Sequence, residues 1–300
     1  MFNNTGTRHN RVSLGCLPIL FLGAFVGCTR GPSRVEASFQ QGDVRRGEYL
    51  TKIFSCQECH TVRLGDGIHL NRNLLFAGGV AFPGPDGSFV YTANVTLASS
   101  YPEQVLEDVI RGRLAYKFAM PTHVYNRMAS DDMRDVIAFI KTLQPVLRPL
   151  PDSRLPANLI LPAPNPAVPV PGREPPIGSL ERGEYLSRMC ACQNCHSPRD
   201  SAGAHLPGHL FEGGMRLQLA DGPVHVTPNI TADPQTGIGA WSEGDIVRAI
   251  RAGVTPDGRE LDHAMPYLTA FHEMADQDMT DLVRFLRSVK PEKGSRPRTE

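Results

Sequence analysis

The chain has no surplus of either charge: 31 Lys and Arg balance 31 Asp and Glu over 300 residues. That excludes the basic footprint of a nucleic-acid binder and leaves no polybasic run for anionic lipid. Long hydrophobic runs are missing as well. The apolar stretch from Leu17 to Val26 is about half the ~20 residues that a membrane-spanning helix needs. Strand-period alternation of any length is also absent, so a mainly α class is expected. Tryptophan occurs once, at Trp241. Proline and glycine are plentiful instead, at 26 and 28 residues, which calls for long loops and at least one linker. A chain of this length is enough for two domains of about 100–150 residues, each with its own core.

Residues 1–28 read as a targeting segment, because Arg8 and Arg11 precede the apolar stretch and small residues end it. Phe25-Val26-Gly27-Cys28 resembles the lipobox of bacterial lipoproteins, with Phe25 where Leu is usual. Cys28 is thereby the expected lipidated residue, placing the protein on the periplasmic face of a bacterial membrane. A plain secretory signal or an uncleaved anchor is the alternative, and each exports the chain. Cys16 lies inside the segment without an assigned role.

From Gln144 to Gly178 the chain carries 11 prolines, several at near-alternate spacing. Such a segment cannot donate ladder hydrogen bonds at those positions and is expected to run extended as a semi-stiff spacer. It separates two copies of one pattern. Arg46-Gly47-Glu48-Tyr49-Leu50 recurs as Arg182-Gly183-Glu184-Tyr185-Leu186, and Leu75-Phe76-x-Gly78-Gly79 as Leu210-Phe211-x-Gly213-Gly214. Asn94-x-Thr96 returns as Asn229-x-Thr231, and Met120-Pro121 as Met265-Pro266. The expected organisation is a first domain over 42–146, a linker over 147–178 and a second domain over 179–291.

Each copy reads as three helices held by loops. One runs into a Cys pair; the next covers roughly Glu103–Arg111 or Ser242–Arg251. The last has Ser130 or Asp276 as a candidate cap, and a buried face at Met133, Val136, Ile137, Ile140 and Leu143, matched by Met279, Leu282, Val283 and Leu286.

Cys56-Gln57-Glu58-Cys59-His60 and Cys192-Gln193-Asn194-Cys195-His196 carry the chemistry. On a helical turn two cysteines three apart point to one side, where they can form thioethers with the two vinyl groups of one haem, and the next His is placed against the iron. Chance would produce about 0.005 such pentapeptides in a chain of this composition, so two at matching repeat positions are no accident. A four-Cys zinc site would need both pairs to meet across the linker and leaves both histidines unexplained. A thioredoxin-like pair would want a βαβ setting, and an exported chain also permits disulfides. Cys190 is the odd thiol and reads as a small buried residue.

An electron carrier needs a second axial ligand, usually a Met thioether. Met120 and Met265 lie 60 and 69 residues after their respective histidines, at equivalent places, each followed by a stiffening Pro. His123, His263 and His272 are the rival ligands. Trp241 is balanced between a propionate hydrogen bond and plain packing. The Gly pairs at 78–79 and 213–214 suit tight turns near the haem, and the two Asn-x-Thr repeats suit turn formation better than glycosylation.

Both halves resemble class I cytochromes c. The second is similar in detail to the c-type cytochrome subunits of bacterial membrane-bound alcohol and sugar dehydrogenases, through Cys192-Gln-Asn-Cys-His-Ser-Pro-Arg199, Thr227-Pro-Asn-Ile-Thr231, Gly237-Ile-Gly-Ala-Trp-Ser242 and Pro256-Asp-Gly-Arg259 leading to Ala264-Met-Pro-Tyr267. The resemblance implies two haem c groups, with Cys56, Cys59, Cys192 and Cys195 as attachments, His60 and His196 as proximal ligands, and Met120 and Met265 as distal ones. It implies an electron carrier between a redox protein donor, such as a dehydrogenase, and a respiratory acceptor, with no nucleic acid involved. Such subunits commonly hold three haems, whereas this chain has two motifs, and its first half has Val62 where the second has Pro198. A two-haem peroxidase and a thiosulfate-oxidising two-haem cytochrome are the catalytic alternatives; the peroxidase needs an open iron position, against which the two methionines weigh.

Overall fold

Asp43 starts the described fold by accepting hydrogen bonds from the Arg45 and Arg46 N–H groups at 2.9 and 3.1 Å. It caps helix α1 (Val44–Ile53), and Ser179 caps α6 (Leu180–Met189) through the Arg182 N–H at 3.1 Å. Both helices carry the repeated Arg-Gly-Glu-Tyr-Leu, and the glycine in it has a packing reason. A Cβ on Gly47 would stand 1.9 Å from the Asp135 carbonyl oxygen, and one on Gly183 would stand 2.1 Å from that of Asp281. So α1 packs on α5 (Ser130–Thr142), and α6 on α9 (Asp276–Ser288), at backbone contact. Helical glycine costs about 1 kcal/mol relative to alanine, which this close approach offsets.

The structure is a computed structural model that describes residues 42–83, 87–114, 120–155, 163–200, 204–218 and 224–294. The expected export segment, with Cys16 and Cys28, lies outside them. Residues from Gln41 onward form one compact unit, mainly helical as expected. In α5, Met133, Val136, Ile137 and Ile140 are buried, and in α9 Met279, Leu282, Val283 and Leu286, as the periodicity predicts. Leu143, expected on the same face, is the extended C-cap of α5 and only half-buried, because the helix ends one residue before it. Each such side chain contributes on the order of 1.5–3 kcal/mol when fully buried. One continuous apolar cluster runs through both copies, from Leu50, Ile53 and Phe54 to Leu186, Met189 and Leu282.

Ser130 and Asp276 are not the caps. The N-cap residues are Ala129 and Ala275, neither of which has a side chain that could accept. The first amides of α5 are satisfied from the Pro-rich segment instead: Ser130 and Asp131 N–H donate to the Pro171 and Gly172 carbonyls, both at 3.0 Å. That segment is therefore more than a spacer. Its described residues have almost no regular structure, yet the Asn165 N–H donates to the Gly112 carbonyl (2.8 Å) and its side-chain amide to the Arg111 carbonyl (2.8 Å), strapping it to the first copy.

Helices α3 (Glu103–Ile110) and α8 (Glu243–Ala252) fall close to their expected places. The short α2 (Cys56–His60) and α7 (Cys192–Cys195) hold the Cys pairs, and α4 (Thr122–Tyr125) follows Met120. Two small hairpins went unforeseen: β1 (Ala81–Pro83) pairs antiparallel with β2 (Phe89–Tyr91), and β3 (Arg216–Gln218) with β4 (Val224–Val226). Three-residue strands are too short to show a period. Their sequence signal is the turn dipeptide between them, Asp86-Gly87 and Asp221-Gly222. No helix among the described residues is long and apolar enough to cross a membrane.

Candidate cofactor sites

Each Cys pair sits on one helical turn that is entered through a left-handed residue, Ser55 at φ 60° and Ala191 at φ 59°. Non-glycine residues rarely adopt this region, and its recurrence in both copies marks a backbone forced by its surroundings. The entry swings the chain sharply out of α1 or α6, so the thiols face back toward the core: Cys56 and Cys192 pack against the apolar cluster. All five cysteines of the described residues are free. Burial pushes the Cys56 and Cys192 thiols up to about 12, with the neighbouring Cys59 or Cys195 adding to it, and Cys59 is raised to about 11 by burial first and by Glu58 second. Burial thus favours the neutral thiol at these three positions.

The histidines are oriented in the same way at both sites. His60 Nδ1 is 2.9 Å from the Ala93 carbonyl oxygen, and His196 Nδ1 is 2.9 Å from that of Pro228. A carbonyl only accepts, so Nδ1 carries the hydrogen and Nε2 keeps its lone pair for a metal. Burial lowers both imidazole pKa values against the raising effect of these hydrogen bonds, favouring the neutral, ligating form. The histidine backbone is fixed too, its carbonyl accepting the Gly78 or Gly213 N–H at 2.8 Å. Those glycines have φ of 68° and 74°. A Cβ on Gly78 would lie 2.5 Å from the Ala93 oxygen, the very atom that orients His60, and one on Gly213 would lie 2.4 Å from the Pro228 carbonyl carbon. The expectation that these glycines serve a tight approach at the site is therefore met for a specific reason.

Phe76 and Phe211 also have positive φ, 59° and 68°. Their N–H groups donate to Thr61 Oγ1 and Ser197 Oγ, each at 3.0 Å, one residue after the histidine. Their rings meet Phe139 of α5 and Phe285 of α9 edge-on, with centroids 5.7 and 5.8 Å apart. Asn94 and Asn229 act as turn formers, their Oδ1 atoms accepting the Thr96 and Thr231 N–H groups at 3.1 and 2.8 Å.

Met120 and Met265 are half-buried against the apolar cluster that Cys56 and Cys192 also touch. The rival histidines are exposed and engaged elsewhere. His123 Nε2 lies 3.0 Å from Asn194 Oδ1, His263 Nδ1 lies 2.9 Å from the Tyr267 hydroxyl, and His272 Nε2 lies 3.6 Å from Glu273 Oε1. Trp241 packs against the cluster, and Cys190 is buried as expected. Asn194, between the second pair of cysteines, reaches His123, and Gln57, between the first pair, donates to the Thr269 carbonyl at 2.6 Å. Each Cys turn thus touches the segment that follows the other copy's methionine, α4 in the first copy and the turn at Thr269 in the second. Unpaired thiols three apart and a following imidazole whose Nδ1–H leaves the Nε2 lone pair for a metal are the attachment and ligand types that covalently held haem requires, so these residues fit that group.

The Ala93 and Pro228 carbonyls were missed in the sequence, although each directly precedes a repeated Asn-x-Thr. The cytochrome c family profile matches residues 180–290. Over 283 residues, 84% of this chain, it is 30% identical to the fructose dehydrogenase cytochrome subunit of Gluconobacter japonicus, covering 54% of that protein. It is 26% identical over 281 residues, 83% of the chain, to the cytochrome c subunit of a quinone alcohol dehydrogenase from Gluconacetobacter polyoxogenes, covering 56% of it. A gluconate 2-dehydrogenase cytochrome c subunit from Pantoea cypripedii matches at 38% over 113 residues, 37% of the chain and 24% of that protein. The chain spans little more than half the length of the first two relatives. Residues 180–290 are thus a cytochrome c domain, and the chain is a homologue of the cytochrome c subunits of fructose and quinone alcohol dehydrogenases.

Proposed function

We propose that the chain is a two-haem electron carrier, organised as cytochrome c domains over 42–146 and 179–291 about the Pro-rich segment 147–178. The observation that carries this reading is the duplicated histidine setting, with Nδ1 held by a carbonyl at 2.9 Å in both copies. Cys56 and Cys59 would hold one haem and Cys192 and Cys195 the other, with His60 and His196 as proximal ligands and Met120 and Met265 as distal ones. Bound haem supplies a reversible one-electron change at its iron. The chain's residues set the conditions for it. The Ala93 and Pro228 carbonyls keep the imidazoles in one tautomer and increase their basicity, and thioether ligation raises the potential relative to a second imidazole.

The relatives are subunits of dehydrogenases by name, and this supports a dehydrogenase as electron donor, with a respiratory acceptor downstream. Export and a lipid anchor on Cys28 complete the reading and place the exchange at a membrane surface; Cys28→Ser should release the protein from membranes, and retention would reject the anchor. The reduced protein should reoxidise reversibly and turn over peroxide only negligibly. Met265→Ala should abolish the near-infrared thioether band of one site and lower its potential, while an unchanged spectrum would assign the ligand to His263 or His272.

A further inference from the structure

The contacts between the two copies are reciprocal. Tyr49 donates its hydroxyl to Asp278 Oδ2 (2.6 Å) and accepts the Ala275 N–H (3.1 Å). Tyr185 donates to Asp132 Oδ2 (2.5 Å) and accepts the Ala129 N–H (3.1 Å). Tyr49 and Tyr185 are repeat equivalents, and so are Asp278 and Asp132, and Ala275 and Ala129. Each copy gives and receives the same bond, the pattern of a two-fold contact between identical subunits, here made within one chain.

Each aspartate is also held by its own copy's arginine, Arg46 to Asp132 at 2.8 Å and Arg182 to Asp278 at 2.6 Å. Glu174 belongs to neither copy but to the Pro-rich segment, and its Oε2 stands 2.7 Å from Arg46 and 2.7 Å from Arg182. Desolvating such a network yields little net stability, whereas any other register would strand a buried charge without its partner. Its effect is to specify one arrangement. In that arrangement Gln57 meets Thr269 and Asn194 meets His123, so both Cys turns lie at the junction.

We propose that Tyr49, Tyr185 and Glu174 are positioning residues that lock the two cofactor sites in one mutual orientation for electron exchange inside the chain. This rests on the two-haem reading. One electron leaves the reduced site and arrives at the oxidised one, with no net oxidation of the chain.

The test uses the intact, haem-loaded protein. Tyr49→Phe should speed hydrogen exchange of the Ala275 amide at least tenfold, and Tyr185→Phe that of Ala129, each 226 or 56 residues away in sequence. The variant Y49F/Y185F/E174Q should slow electron exchange between the sites, followed by pulse radiolysis, at least tenfold while both near-infrared thioether bands persist. If the triple variant loses its bands, Glu174→Gln alone should give a threefold or greater slowing. Unchanged amide exchange, or wild-type electron exchange in the band-retaining variant, overturns the proposal. A protein that carries a single haem overturns the two-haem reading instead, and the amide exchange then still decides whether the clasp exists.

Discussion

The two copies solve one problem with the same backbone and different reinforcement. Both use left-handed entry into the Cys turn, a glycine where the histidine's carbonyl partner passes, and a Phe on Phe edge contact with the last helix. They part at the second helix. In the second copy α8 has a full capping box, with Ser242 and Asp245 each bonding the other's backbone, and ends on the left-handed Gly253. In the first, α3 begins after Pro102 without a side-chain cap. There the chain relies on Arg111, which is 0% exposed and donates from one nitrogen to the Asn126 and Met128 carbonyls at 3.1 and 3.0 Å. Its counterpart Arg251 bonds the Met274 carbonyl at 2.7 Å but keeps 31% side-chain exposure. What both copies retain is the geometry around the histidine; what varies is how the supporting loops are held.

The comparison breaks most completely at the thiols. Replacing Cys56 and Cys59 by Ser, or Cys192 and Cys195, should remove one haem and leave the other copy's spectrum intact. Next in size is the arginine pair. Arg111→Met strands two buried carbonyls and should cost about 3 kcal/mol in denaturant unfolding, against about 1 kcal/mol for the partly solvated Arg251→Met.

The buried Asp132 of the first copy adds a pH dependence. Burial, with Glu174 and Asp135 adding and Arg46 opposing, raises the Asp132 carboxyl to about 6. The folded state thus holds a proton that an unfolded Asp, with a pKa of about 3.9, has already released. This contribution to stability is full below about pH 4 and is lost as pH rises through about 6. Asp132→Asn should remove that slope from the melting temperature; a slope that persists would place its origin elsewhere. The smallest effect is the cap: Ser242→Ala should cost about 1 kcal/mol, a loss for which α3 has no equivalent side chain.

Much of this was legible in the sequence because it depends on local spacing. The Cys-x-x-Cys-His turns and the buried faces of α5 and α9 are written in short intervals, and the two copies show as one order of such short patterns repeated further along the chain. The carbonyls that orient His60 and His196 were not, since they lie 33 and 32 residues away and act through backbone that has no residue code. Nor was the clasp. The repeated Arg-Gly-Glu-Tyr-Leu displays Arg46, Tyr49, Arg182 and Tyr185, but only contact between the copies shows what they bind. Composition marked the Pro-rich segment as extended and gave no sign that Pro171, Gly172 and Glu174 would complete a helix start and an ion network.

The most direct measurement is the haem content of the purified, fully matured chain, taken as the pyridine complex and by intact mass. Two haems per chain, both covalently held with saturated vinyl groups, is the predicted result. One haem, or none, would contradict the duplicated site on which the account stands.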